Sequence, residues 1–274
     1  MSEVVCKFCG SDNVVKYGSY KGIQRFLCRN CGRKFADNDA PEGMRYPAAT
    51  IAAVLSAFYE GMSESGIRRH LLQTSGAEPS TATIYDWIRR YTEEAMIAAR
   101  PLRAQTCSVW YADETVIDVG GNVWFWDIID YDSRFLLASH LSISRTSNDA
   151  KILMRRALDH ASCVPRAVVT DKLAAYLEAV RETFGPLSPH FRSKGFIRTP
   201  NTNIIERFHG TLKDRTKVMR GLKSMESARF IMAGWLVHYN YFRPHSSLGG
   251  RTPASAVGID FPFRNWTEVV ANEK

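Results

Sequence analysis

No stretch of this sequence approaches the roughly 20 consecutive apolar residues that a membrane-crossing helix needs, although 45% of its 274 residues are apolar. The N-terminus is polar and cysteine-bearing and lacks the apolar run of a secretion signal. Membrane-spanning and exported classes are set aside on these grounds, and a cytoplasmic protein is expected. Cysteine is scarce, six in all, and nothing suggests an oxidising compartment, so a disulfide scaffold is not expected. Cys107 and Cys163, each in an apolar stretch, read as inert core residues. Acids are in deficit, 28 against 36 Lys and Arg, giving a formal charge of +8 and a pI near 9.2. What remains is a chain long enough to bury a full core and to hold more than one domain.

The positive excess is patterned. Between Arg192 and Lys223 nine Lys or Arg (192, 194, 198, 207, 213, 215, 217, 220, 223) face two acids, a local balance of +7. Residues 1–35 add +5, which leaves the rest of the chain at −4. A basic run is most often a solvated face, but this one contains Glu206, an acid taken up below as a candidate metal ligand, and a basic run around such an acid is better explained by phosphate contacts.

Cys6-Lys-Phe-Cys9 and Cys28-Arg-Asn-Cys31 are two CxxC pairs 18 residues apart, each followed by a glycine, Gly10 or Gly32. Two such knuckles present four thiolates to one Zn²⁺, and the spacing is that of a zinc ribbon over residues 1–38. Short strands are expected at 13–18 and 24–28. After a turn-rich linker, Asp37 to Gly43, helical periodicity takes over. One helix is expected over 48–60, stopped by Gly61, a second from Ser63 to about Leu72, and a third capped by Ser80 or Thr81 and running through Ile84 to Tyr91. This order suggests a helix-turn-helix over 48–92 whose third helix would offer Tyr85, Arg89 and Arg90 to DNA. A plain helical bundle is the alternative for this segment.

Three acids stand out beyond residue 100. Asp113 in Val109-Trp-Tyr-Ala-Asp-Glu-Thr115 and Asp171 in Val168-Val-Thr-Asp-Lys172 each end an apolar, strand-like run, and Glu206 lies in Asn203-Ile-Ile-Glu-Arg-Phe-His209. In that last segment Ile204, Ile205, Phe208 and Leu212 recur at helical spacing, which leaves Glu206, His209, Lys213 and Lys217 on the opposite face. Singly, each acid reads as a cap or a surface charge. Together, carboxylates at strand ends and on a packed helix can converge, and hard divalent cations take such oxygen ligands. Glu114 competes with Asp113, but alternation along a strand lets only one of the two join the cluster. Strands are expected at 106–113, 122–130, 135–141 and 167–171, with helices at 149–161, 172–184, around Glu206 and from Ser224 to Tyr241. This is an α/β layer order similar to the ribonuclease H-like fold.

The segments Trp110 to Thr115, Thr170-Asp-Lys172, Asn203 to Glu206, and Lys213 seven positions later resemble the DDE transposases of bacterial and archaeal insertion sequences, and look closest to the IS six group. The 34 residues between Asp171 and Glu206, the run Gly221-Leu-Lys-Ser224, and the tail Tyr241-Phe-Arg-Pro-His-Ser-Ser-Leu248 with Thr252-Pro-Ala254 fit the same resemblance, which covers about residues 48–257. It implies a catalytic domain over 106–257, followed by a tail at 258–274. It selects Asp113 over Glu114, and implies that Asp113, Asp171 and Glu206 hold two Mg²⁺ or Mn²⁺ ions. It also implies that Lys213, with Lys217 and Arg220 near it, binds DNA close to the scissile phosphate. Asn203 and His209, about one turn either side of Glu206, would orient it, touch DNA, or simply make helix-surface hydrogen bonds. The implied activity is cleavage and joining of transposon ends on double-stranded DNA by a nucleoid-associated protein that is at least a homodimer. A DNA-binding regulator derived from a transposase, and a hydrolytic nuclease on the same fold, are the alternatives.

Overall fold

The computed structural model of the chain describes residues 4–20, 22–36, 38, 40–41, 44–193, 203–219 and 222–272. By its internal contacts the chain divides into two compact units, 1–56 with 265–274, and 57–264.

In the first unit, β1 (Val14–Tyr20), β2 (Ile23–Cys28) and β3 (Lys34–Ala36) form an antiparallel sheet in that order. Three residues are too few to show a strand period in sequence, and β3 was not anticipated. Its Phe35 stacks on Phe26 at 5.8 Å and joins Cys6 and Cys28 in a small core. Gly10 and Gly32 each close a knuckle by donating to the carbonyl of Cys6 or Cys28. Both have φ near +70°, a conformation that favours glycine over any side chain. The last described helix, Trp266–Ala271, is capped by the Asn265 side chain and buries Trp266, Val269 and Val270.

Helix α1 (Ala48–Tyr59) runs across the division between the units and stops before Gly61, whose φ is 103°. Helix α2 (Glu64–Ser75) starts where the Ser63 hydroxyl accepts the Gly66 N–H, and ends at a left-handed Gly76. Helix α3 (Thr81–Ala99), capped by Ser80, is longer than its sequence pattern suggested, because Ile88, Tyr91 and Ala95 continue its buried face.

The larger unit is built on a five-stranded sheet. Its strands are β4 (Val109–Asp118), β5 (Asn122–Asp130), β6 (Leu136–Ser142), β7 (Ala167–Thr170) and β8 (His190–Arg192), in the order β6-β5-β4-β7-β8. The first three form an antiparallel meander, and β7 and β8 add in parallel. This is the mixed α/β layer arrangement expected from the sequence. Helices α4 (Ser147–His160) and α5 (Ala175–Phe184) follow β6 and β7. They are joined in chain order by α6 (Asn203–Lys217) and α7 (Met225–Val237), after which the helix widens into a π turn over His238–Phe242. Helix α4 packs on β5, β6 and α5, α6 packs on β4, and α7 packs on β6 and α3. Among the described residues no helix is long and apolar enough to cross a membrane.

Three departures from the sequence expectations matter for the site. Strand β4 does not end at Asp113 but continues to Asp118, because residues 114–118 pair across a Gly120-Gly121 turn with the start of β5. The parallel strand β8 occupies what read as loop. Cys107 and Cys163 form a disulfide with their Cα atoms 5.6 Å apart, tying the approach to β4 to the approach to β7. A pairing across 56 residues leaves no local trace in sequence.

Gly234 sits where α7 packs tightly against α3 and the end of α1. A Cβ there would overlap the Tyr59 hydroxyl and stand 2.5 Å from Thr92 Cγ2, just where Tyr59 and Thr92 share a buried 2.7 Å hydrogen bond. Gly234→Ala should therefore destabilise the unit by about 1 to 3 kcal/mol through overpacking, a fall of several degrees in Tm that calorimetry would register.

Candidate active site

The parallel ladder of β4 and β7 ends at Tyr111 opposite Val169. Two places further along the same register, Asp113 falls beside Asp171, and neighbouring strands lie only about 4.8 Å apart. Asp113, Glu114 and Asp171 each bring a carboxylate oxygen within 4.8 Å of the others. The Asp171 carboxylate also accepts the Leu173 N–H at 2.8 Å, which turns the chain from β7 towards α5.

Glu114 corrects the expectation that only one of the adjacent acids can reach the cluster. Alternation itself holds. Asp113 faces α6, where His209 Nδ1 stands 3.8 Å from its Oδ2, and Glu114 faces α5, where the Tyr176 hydroxyl donates to Oε2 at 2.6 Å. The two meet because Asp171 follows the last residue of β7 and can be approached from both faces. Arg145 also grips Glu114, with its Nε 2.9 Å from Oε1, while its guanidinium lies 4.5 Å over the Trp124 ring. Glu114 thus enters the cluster with both oxygens already engaged.

Behind Asp113 sits a second acid. Asp127 on β5 pairs directly across from Asp113 and is fully buried. His209 lies against both, its Nε2 2.6 Å from Asp127 Oδ1. Burial favours a neutral ring, but the two carboxylates outweigh it and hold the His209 pKa above its ordinary value. Burial likewise pushes the Asp113 carboxyl up, to about 7, against the pull of His209 and with the added repulsion of Asp127 and Glu114. His209 was read as lying on the exposed face of its helix. It is buried, because the sheet presents two acids that an imidazole can bridge. Asp127 could have been noticed as a lone charge within Val123-Trp-Phe-Trp-Asp-Ile-Ile129, whereas Arg145 and Tyr176 carry no local signal.

Glu206 lies on α6 one turn before His209, on the helix that packs against β4. Among the described residues it falls outside the group of oxygens within 4.8 Å. Lys213 and Lys217 are exposed further along α6, and Arg220 lies outside the described residues. Arg215 leaves the count of surface charges, since it is 2% exposed with its guanidinium 3.9 Å over the Phe58 ring, and burial draws its pKa down to about 10. Arg89 and Arg90 are exposed on α3, as is Tyr85. Asn203 is the first residue of α6.

In the smaller unit Cys6, Cys9, Cys28 and Cys31 converge. Their Sγ atoms stand 3.6 Å apart in the pairs Cys6–Cys31 and Cys9–Cys28. A disulfide would require about 2.05 Å, whereas the edge of a tetrahedron with Zn–S bonds of about 2.3 Å is about 3.8 Å. The donor set therefore suits Zn²⁺. The backbone N–H groups of Cys31 and Asn30 lower the Cys28 thiol to about 6, while, against a backbone hydrogen bond, burial and the neighbouring thiols push Cys9 up to about 12 and Cys31 upwards, so without a metal the negative charge is drawn to Cys28.

Fold and site together define a mixed α/β domain with an acidic cluster suited to a divalent cation, joined to a four-cysteine ribbon. Residues 107–245 match the family described as the DDE domain, and the chain belongs to this family of insertion-element transposases, as its motifs implied. It is 33% identical, over 36% of its length, to an uncharacterized protein of insertion element IS476 from Xanthomonas euvesicatoria. It is 30% identical, again over 36%, to an uncharacterized protein of transposable element ISH50 from Halobacterium salinarum. These matches take in 30% and 32% of the relatives' own lengths. Similar solved structures include the HTLV-2 integrase catalytic core domain in complex with magnesium, at 15% identity and a TM-score of 0.45 over 57% of this chain and 99% of that one. Another is a simian T-cell lymphotropic virus intasome, at the same identity and TM-score over 78% and 77%.

The raised pKa of Asp113 has a consequence for stability. Below about pH 4 the carboxyl is protonated folded or unfolded, and between about 4 and about 7 the folded state holds the proton that the unfolded state has lost. Without added divalent cation, stability should fall by on the order of a few kcal/mol as the pH rises through that window. Asp113→Asn should flatten this slope in urea unfolding.

Proposed function

We propose that this protein is a transposase that binds the ends of its insertion sequence and cuts and joins DNA strands through Asp113, Asp171 and Glu206. The observation that carries this reading is the meeting of Asp113 and Asp171 on neighbouring strands, with α6 packed against the first of them. Asp113, Asp171 and Glu206 would hold two Mg²⁺ or Mn²⁺ ions. Ions bound there would activate water or a freed 3′-OH and stabilise the leaving oxygen. Glu206 is preferred to Glu114 as the third ligand because Arg145 and Tyr176 already satisfy Glu114. Asp127 and His209 set the charge behind Asp113.

Double-stranded DNA is the proposed partner, gripped near the chemistry by Lys213, Lys217 and Arg220 and read by Arg89 and Arg90 on the helix that follows the Gly76 turn. Helices α1 to α3 would form the helix-turn-helix, 106–257 the catalytic domain and 1–38 a ribbon with one structural Zn²⁺. The working form would be at least a dimer, since two ends must be joined, and the protein would act in the cytoplasm on the nucleoid.

Asp113→Asn, Asp171→Asn and Glu206→Gln should each abolish nicking and joining of a labelled end while leaving end binding largely intact. Wild-type cutting by any one of them at physiological Mg²⁺ would remove that residue from the site. A strand-transfer assay with a pre-cleaved end separates the transposase from a nuclease, which cuts without joining, and from a regulator, which does neither. Metal analysis of the purified protein should give one zinc per chain. Its removal should unfold the ribbon, because a segment of about 35 residues buries too little core to stand alone.

A further inference from the structure

A cavity of about 270 Å³ opens on the far side of α6 from the acidic cluster. Arg134, Arg207 and Arg243 line it together with the hydroxyl residues Thr211, Ser246 and Ser247, and no acid is among its lining residues. Its counter-charge is thin. Glu60 approaches Arg243 at 3.8 Å and is itself 46% exposed, whereas among the described residues Arg134 and Arg207 make no ion pair. Three arginines border an acid-free cavity; the guanidinium of Arg134 also donates to the Tyr131 carbonyl and lies 5.2 Å over the Tyr131 ring, neither of which neutralises it, so the positive potential there stays concentrated.

The chain holds this arrangement at some cost. Arg134 is the one non-glycine residue with positive φ among the described residues, at 61°, a conformation that disfavours side chains and tends to persist where neighbours over-determine it. Here Asp130 does so, accepting the Ser133 N–H at 2.9 Å and its hydroxyl at 2.6 Å, while the Arg134 N–H reaches the Asp130 carbonyl at 3.0 Å. His245, which also lines the cavity, packs edge-on to Tyr239 at 4.6 Å, and its Nε2 is buried without a partner. Burial and the nearby Arg243 lower its pKa to about 4, so it lines the cavity as a neutral ring.

We infer that this cavity binds a phosphodiester of the DNA backbone, separate from the phosphate at the acidic cluster. The inference rests on the proposed DNA-processing function. Guanidinium groups match phosphate geometry in a way that a point charge does not. Along α6, Glu206, Lys213 and Lys217 share one stripe, and Arg207 and Thr211, four residues apart, share another that borders the cavity. A strand crossing the exposed arc of α6 would thus meet the acidic site on one side and the arginine cavity on the other, and the helix would act as the ridge between two phosphate contacts.

The test is DNA affinity for a generic duplex, measured by fluorescence anisotropy from about 50 to about 200 mM salt. Arg207 is exposed, so Arg207→Gln and Arg207→Glu should fold normally, and Arg243→Gln serves as an independent second variant. Each neutralisation should weaken binding and reduce the slope of log K against log salt by about 0.9 per lost contact. Arg207→Glu should weaken it further, and Arg207→Lys should recover most of the slope. Wild-type affinity and slope in both Arg207→Gln and Arg243→Gln would overturn the proposal, as would tighter binding by Arg207→Glu. If those variants bind like wild type while Asp113→Asn no longer cuts DNA, the cavity alone is refuted. Cutting that survives in Asp113→Asn would overturn the reading on which the proposal rests.

Discussion

Asp113, Glu114 and Asp127 gather on the paired strands β4 and β5, with Asp171 just beyond the end of β7, and the repulsion among the first three in a largely buried place constrains what packs around them. Asp127 is fully buried, and burial raises its pKa even with His209 in contact. A sheet with this composition is stable only if its buried acids are matched. The match is made on both faces, by His209 from α6 against Asp113 and Asp127, and by Arg145 and Tyr176 against Glu114. Helices α5 and α6 therefore complete the electrostatics of the sheet as well as covering it. A buried charge stripped of its partner costs about 3 to 5 kcal/mol, so these contacts fix where the helices sit. Asp113, which His209 approaches only at 3.8 Å, and Asp171 are the acids whose charge a cation bound as proposed would complement.

The same logic orders the basic surface. Arg215 is spent inside the protein on an aromatic ring, so the positive charge of α6 that reaches solvent comes from Arg207, Lys213 and Lys217. These lie on two stripes of one helix, next to the acidic cluster and next to the arginine cavity. A polyanion held across α6 would be fixed at two points, and two fixed points define a direction as well as a position. Orientation of the reacting phosphate is a large part of phosphoryl-transfer catalysis, because the attacking and leaving oxygens must lie roughly in line.

Much of this could be read from the amino-acid sequence, for physical reasons that differ by element. The cysteine knuckles were legible because metal ligation fixes residue type and spacing together, and the φ values of Gly10 and Gly32 bear out the turns they imply. Strand β7 was legible because four consecutive buried residues precede a charge. Strand β4 was cut short in sequence because Asp113-Glu-Thr115 breaks its apolar run, although the pairing of residues 114–118 with β5 continues through the acids. Tertiary contacts carried the remainder. Neither the burial of His209 between two acids, nor the Arg145–Glu114 pair across 31 residues, nor the Cys107–Cys163 disulfide has a periodic signature. Side-chain alternation correctly placed Asp113 and Glu114 on opposite faces, but it could not show that Asp171 is reached from both.

If, as proposed, Asp113, Asp171 and Glu206 hold the catalytic cations while Arg145 and Tyr176 engage Glu114 structurally, the two glutamates must differ in what they contribute to metal binding. Calorimetric titration of the zinc-loaded protein with Mn²⁺ tests this most directly, comparing Glu206→Gln with Glu114→Gln. Glu206→Gln should lose at least about tenfold in Mn²⁺ affinity, the scale on which disturbed metal sites lose binding, and Glu114→Gln should change much less. The reverse ranking, with Glu114→Gln losing the ion and Glu206→Gln keeping it, would make Glu114 the third ligand and remove Glu206 from the site.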